Sequence, residues 1–175
     1  HGDHILGVRN KAGQLVYPNA KIMVPSVEHA FWMDDARVAA APDAMKGAFQ
    51  TVRRMLGGLN DSQMVKFEAG TEIVPGIKSV AAYGHTPGHT LFMVESKGEK
   101  FAYVADITNV PQLFARNPDW AVQFDMNAEE ARVARRKVFD MIVNDKVMAG
   151  GFHFPFPAFG RVEKLGNGFE FKPVA

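Results

Sequence analysis

The first four residues, His1-Gly2-Asp3-His4, put two imidazoles and a carboxylate within four positions. That donor set suits zinc or a similar borderline divalent ion, which takes imidazole nitrogen and carboxylate oxygen readily. A string this short also arises by chance, so its weight depends on partners elsewhere in the chain. Three candidates follow: His89 closes Gly84-His85-Thr86-Pro87-Gly88-His89, Asp106 follows the apolar run Phe101 to Ala105, and His153 follows Ala149-Gly150-Gly151-Phe152. His89 lies in a turn expected to join two strands, and Asp106 and His153 stand where strands are expected to end. A carboxylate there is poorly placed for core packing and well placed for a site at a sheet edge. Taken singly, His153 reads more readily as a hydrogen-bonded structural histidine, and Asp106 equally well as a turn cap. Together they favour metal ligands.

The elements that must hold these groups follow from the apolar pattern. Ile5 to Val8 leaves the opening motif as a short helix or turn, and Lys21 to Pro25 reads as a short buried strand. Ser26 is expected to cap a helix over Val27 to Asp35. Pro42-Asp43 starts another, with Phe49, Val52, Met55 and Leu56 at helical spacing and Gly57-Gly58 as its stop. The period then changes. Met64–Phe67, Thr71–Val74, Ile77–Ala82, Thr90–Glu95 and Lys100–Ala105 are expected strands, separated by Pro-Gly and Lys-Gly turns. Ala128 to Val143 is the clearest helix, with Val133, Val138, Met141 and Ile142 expected on one side. Val147–Gly150, Val162–Leu165 and Phe169–Pro173 complete the strands. The alternation points to layered α and β elements.

At 175 residues, with 47% hydrophobic and 22% charged, the chain is expected to form one domain over residues 1–175. A net charge of +1 with dispersed Lys and Arg gives no footprint for nucleic acid. The densest basic run, Arg132 to Lys137, alternates with Ala and Val and is expected to be a solvated helix face. The absence of cysteine excludes disulfides, thiolate ligands and a Cys nucleophile. No apolar run approaches a membrane span. The compartment stays open.

In order and context, these residues resemble the metallo-β-lactamase superfamily, whose dinuclear hydrolases carry His-x-His-x-Asp-His followed by His, Asp and His. The first His of that pattern would lie two residues before His1, so the resemblance implies the later part of a longer protein. It implies the α/β metallo-β-lactamase fold, a four-layer αββα sandwich of which this chain supplies the C-terminal portion. It implies two divalent ions, zinc above all, with manganese, iron or cobalt as alternatives. One would be held by the missing His, His1 and His89, and the other by Asp3, His4 and His153, with Asp106 bridging them. A hydroxide shared by the two ions would attack an electrophilic carbonyl or phosphorus. Asp3 and Asp106 would thus be catalytic as well as ligating, Asp3 as a proton relay. His85 matches no ligand position and is expected to support the site by hydrogen bonding. His29 is expected to be ordinary packing.

Several strings are similar to the methyl parathion hydrolase branch, the most specific being Phe31-Trp32 with Val122-Gln123-Phe124-Asp125. The branch implies that Phe31 and Trp32 line a pocket for an aryl leaving group. The chain departs from it at Gly2, where a β-branched residue is common, and over Gln112 to Trp120. The implied function is a metal-dependent hydrolase acting on a neutral ester-like small molecule: an aryl phosphotriester, an ester or a lactone. An acyl-homoserine lactone lactonase, with Tyr103 near the bridging Asp106, is the first alternative. A non-catalytic binding module is the second. A homodimer is compatible with the resemblance, and no nucleic-acid or membrane partner is implied.

Overall fold

The computed structural model describes residues 1–174. The chain divides into two compact units, His1–Glu68 and Ala69–Ala175. Among the described residues, no helix is long and apolar enough to cross a membrane.

The first unit opens with a 3-10 helix, Gly2–Val8. Strand β1 (Ile22–Pro25) pairs in parallel with β2 (Met64–Phe67), and helices α1 (Ser26–Met33), α2 (Asp35–Ala40) and α3 (Asp43–Leu56) lie between them in sequence. Helix α3 forms as its spacing requires: Phe49, Val52, Met55 and Leu56 make one buried stripe. Its last turn is tied down by Arg9, which donates to the carbonyls of Met55 and Gly57 at 3.0 and 2.9 Å. Trp32 is 2% exposed and packs edge-on against Phe31 and Phe49, with centroids 5.0 and 4.8 Å away. Its indole N–H donates to Glu28 Oε1 at 2.6 Å.

Two expectations for this unit fail at helix ends. Ser26 is not a cap; Pro25 precedes the helix, and the Ser26 hydroxyl donates to the Phe67 carbonyl at 3.2 Å. The helix expected to run to Asp35 stops at Met33. There Asp34 leaves helical geometry and caps α2, accepting from the N–H groups of Ala36 and Arg37.

The second unit is one seven-stranded sheet in sequence order: β3 (Glu72–Val74), β4 (Ile77–Ala81), β5 (Thr90–Ser96), β6 (Glu99–Tyr103), β7 (Met148–Gly150), β8 (Phe159–Leu165) and β9 (Gly168–Pro173). All neighbours are antiparallel except β6 and β7. That parallel pair needs a crossover, and the connection from β6 to β7 contains α4 (Pro111–Phe114) and α5 (Ala128–Asn144). Lys97 and Gly98 both have positive φ, as a two-residue hairpin turn demands. Val138, Phe139 and Ile142 of α5 share a core with Leu91, Ala102, Val104, Ala149, Phe169 and Phe171. This pattern also sets the direction of the loops. Strands β4 and β6 both oppose β5, and β7 runs with β6, so the loops after β4, β6 and β7 leave the same end of the sheet. They carry His85, Asp106 and His153 respectively.

Helix α5 corrects two readings. Val133 is 61% exposed, because a residue five positions before Val138 lies about 140° away around the helix. Arg135, expected on a solvated face, is 1% exposed, because it stands three before Val138 and four before Phe139, on the core side.

Gly84 (φ +121) lies against the start of α5. A Cβ there would come within 2.1 Å of the Ala131 nitrogen. The backbones lock at this point: Asn127 N–H donates to Gly84 O and Met126 N–H to His85 O, at 2.9 and 3.1 Å. Gly84→Ala is therefore expected to cost on the order of 3 kcal/mol, from positive-φ strain and overpacking together, read as a lower urea midpoint. For Trp32→Ala, the lost core contacts predict a destabilisation of about 3–5 kcal/mol. An unfolding midpoint equal to the parent's would instead favour a pocket-wall role for Trp32.

Candidate metal centre

In the first unit the three opening groups sit on one short turn of chain. His1 precedes the 3-10 helix, and Asp3 and His4 lie in its first turn. Asp3 is exposed, His4 is half-buried, and His4 Nε2 is 3.4 Å from Asp3 Oδ2. The His1 ring meets Trp32 edge-on at 6.4 Å, so the indole flanks His1. Gly2 has a packing reason. A Cβ there would stand 3.2 Å from Thr51 Cγ2 and 3.6 Å from Val52 Cγ2, so a side chain would need Thr51 to give by a few tenths of an ångström. Phe31 is half-buried beside Trp32, with the Arg37 guanidinium 5.1 Å from its ring centre. His29 is half-buried, and its pKa is lowered by burial and by Lys66.

In the second unit the centre is Asp106, 6% exposed. Its two carboxylate oxygens face different imidazoles. Oδ2 is 3.3 Å from His85 Nε2, and Oδ1 is 3.5 Å from His153 Nε2. The backbone just before it is constrained: Ala105 has φ +48, a region L side chains rarely occupy. Gly151 packs onto this point. A Cβ there would approach Ala105 O to 2.8 Å and the Phe154 ring to 3.0 Å. The loop that brings His153 near Asp106 therefore needs glycine at 151.

The two histidines of the Gly-His-Thr-Pro-Gly-His string have exchanged the positions expected of them. His89 is fixed by main chain at both ring nitrogens: Nδ1 bonds the Ala82 carbonyl at 2.8 Å, and Nε2 accepts the Asp106 N–H at 3.0 Å. Burial, then the neighbouring His85, pushes its pKa down to about 4. It is a neutral brace between the end of β4 and the backbone of Asp106. His85, expected to play the supporting part, instead stands at the Asp106 carboxylate. Burial works to lower its pKa, but hydrogen bonds to Asp106 and Asp125 together outweigh that and raise it. The spacing of the string gives no means of telling its two histidines apart.

Two groups around this cluster went unread in the sequence. Asp125, whose side chain is 1% exposed, places Oδ1 2.9 Å from His85 Nδ1. Its Oδ2 pairs with Arg135 Nη2 at 3.0 Å. Asp125 was part of a noted string but carried no sign of its partner, and Arg135 was hidden in a basic run. Tyr103 ends β6 on the side opposite Ala102, with its ring 5.4 Å from that of Phe152. Burial, and then the charge of Asp106, pushes its pKa up to about 12, so the phenol keeps its proton at neutral pH. Of the phenylalanines around His153, Phe154 is core, packed against Phe171, while Phe152 is 51% and Phe156 96% exposed.

No family model and no curated protein matches the sequence. Solved structures do. The chain superposes at a TM-score of 0.90 on the hydrolase AbOPH of the β-lactamase superfamily, at 23% identity, covering 100% of this chain and 62% of that one. It superposes at 0.87 on AidC, a dizinc quorum-quenching lactonase solved with an N-hexanoyl-L-homoserine product, at 28% identity and with the same coverages. A probable metal-dependent hydrolase from Staphylococcus aureus gives 0.70 at 24% identity, over 86% of this chain and 50% of that one. The chain thus spans 62% of the length of each of the first two structures. A seven-stranded mixed sheet with His85, Asp106 and His153 at one end, and the first two superpositions, over the whole chain, give the protein the fold of the metallo-β-lactamase superfamily hydrolases.

Proposed function

We propose that the protein is a metal-dependent hydrolase whose site takes two divalent cations. The observation that carries this is the Asp106 carboxylate, with one oxygen toward His85 and the other toward His153. A carboxylate so placed can offer one oxygen to each of two ions, with an imidazole beside each. The donor chemistry fits: every candidate is an imidazole or a carboxylate, and zinc, manganese, iron and cobalt accept such sets. His1, Asp3 and His4 of the opening motif, with His85, Asp106 and His153, are the residues that would hold the ions. His85 replaces His89 in this assignment, because both ring nitrogens of His89 are engaged by main chain.

When bound, the ions supply Lewis-acid polarisation of a carbonyl or phosphoryl oxygen and a water acidic enough to ionise near neutral pH. The chain does the rest. Asp106 holds its two imidazole neighbours in register, and His89 braces the Asp106 backbone. Asp3, exposed beside His4, is placed to pass a proton to bulk water. Phe31, with Trp32 packed behind it, supplies apolar surface in the first unit, and Phe152 does so beside Tyr103 in the second. Near-neutral net charge and these aromatics favour a neutral ester-like substrate: an aryl phosphotriester, an ester or a lactone. The methyl parathion hydrolase-like strings favour the first of these.

One observation favours the lactone. Tyr103 presents a phenol that stays protonated and feels the Asp106 charge. Such a donor suits the oxygen of a ring being opened, and a lactonase is among the structures matched at 28% identity.

The test is metal content and rates on a phosphotriester, an aryl ester and an acyl-homoserine lactone. A chelator should abolish turnover, and zinc, manganese or cobalt should restore it. Asp106→Ala should lower kcat/KM by roughly 10³-fold or more, the several kcal/mol that metal catalysis supplies, while the far-UV circular dichroism stays that of the parent. Full turnover in chelator, or by the Asp106 variant, would contradict the proposal.

A further inference from the structure

We infer that Asp125, held by the buried guanidinium of Arg135, is a positioning residue for the metal centre: it fixes the His85 ring with Nε2 toward Asp106. The inference rests on the assignment of His85 as a ligand made above. Asp125 divides its carboxylate, with Oδ1 on His85 Nδ1 at 2.9 Å and Oδ2 on Arg135 Nη2 at 3.0 Å, where it also accepts the Val122 N–H at 3.4 Å. Both Asp125 and Arg135 side chains are 1% exposed. An isolated carboxylate so deeply buried would be expensive, and pairing with the guanidinium offsets part of that cost. A carboxylate paired with a guanidinium accepts, so the hydrogen between Asp125 and His85 lies on Nδ1. That leaves Nε2, the atom that faces Asp106, as the ring nitrogen that can give its lone pair to an ion. Carboxylates that orient ligand imidazoles in this way are a recurrent support of metal sites.

Arg135 does a second thing. Its Nε donates to the carbonyl of Ile107 at 2.9 Å, one residue after Asp106. Its Nη1 donates to the carbonyls of Pro118 and Trp120, both at 2.9 Å. One side chain of α5 thus holds the carboxylate that orients His85 and the backbone that follows Asp106. The spacing between the two groups is set from the helix. A pair serving only the core would have no reason to spend an Asp125 oxygen on the imidazole of the site.

Nitrogen-15 NMR of the histidine-labelled, metal-free protein, titrated with zinc, tests this without mutation. His85 is expected to carry a slowly exchanging proton on Nδ1 throughout, while its Nε2 resonance moves as zinc binds. A zinc shift on Nδ1, or loss of its proton, would overturn the positioning role. Asp125→Asn adds a second reading. Zinc affinity, measured by competition with a chromophoric chelator, should fall about 10–100-fold, and the visible spectrum of the cobalt-loaded variant should change. A folded Asp125→Asn protein with the parent's affinity and spectrum would overturn the inference and leave the proposed function standing. If that variant does not fold, the NMR result on the parent decides alone. A parent protein that binds no zinc would overturn the proposed function, and the positioning role with it.

Discussion

A charge pair inside the second unit is the constraint on which its site depends. The side chains of Asp125 and Arg135 are each 1% exposed, and neither could be buried alone. Removing one partner of such a pair typically costs about 3–5 kcal/mol, because the other is left as an uncompensated charge. The pair therefore commits three pieces of chain to one arrangement: helix α5, the segment from Pro118 to Asp125, and the loop that carries His85. Gly84 completes the lock by letting that loop lie directly on the first turn of α5. The crossover helix that the parallel β6–β7 pair requires thus also fixes the site.

The sheet supplies direction and the loops supply chemistry. With β4, β6 and β7 parallel to one another, their following loops collect three donors at one end of the sheet. Local backbone then aims them. The left-handed Ala105 turns the chain at Asp106, and Gly151 lets the next loop press against it. His89 spends both ring nitrogens on this scaffold. The first unit solves a smaller problem, holding His1, Asp3 and His4 on one turn of 3-10 helix seated on α3 through Gly2.

Much of this was legible in the sequence, for physical reasons. The strands and α3 follow from apolar period and Gly or Lys-Gly turns, and the structure keeps them within a residue or two, except β8, which starts three residues earlier, at Phe159. Asp106 and His153 were found because a polar group ending an apolar strand has little to do in a core. What was not legible depended on contacts between distant residues. Arg135 could not be told from its exposed neighbours until its carboxylate partner ten residues earlier was seen. Ser26 was given a capping role that Asp34 performs for the next helix. His85 and His89 share one string, and only the carbonyl of Ala82 and the amide of Asp106 show which of them is a brace. Trp32 is buried against Phe49, a helix away in sequence, a contact that local pattern does not reveal.

In the proposed site Asp106 would offer one carboxylate oxygen to each of two divalent ions, with His85 beside one and His153 beside the other. Anomalous diffraction from crystals grown with cobalt measures this directly. Two cobalt peaks are expected, one at each Asp106 oxygen, with His85 Nε2 on the first ion and His153 Nε2 on the second, and with His89 still bonded to Ala82 and the Asp106 amide. A single peak, or a cobalt ion bound through His89 with His85 outside its coordination sphere, would contradict it.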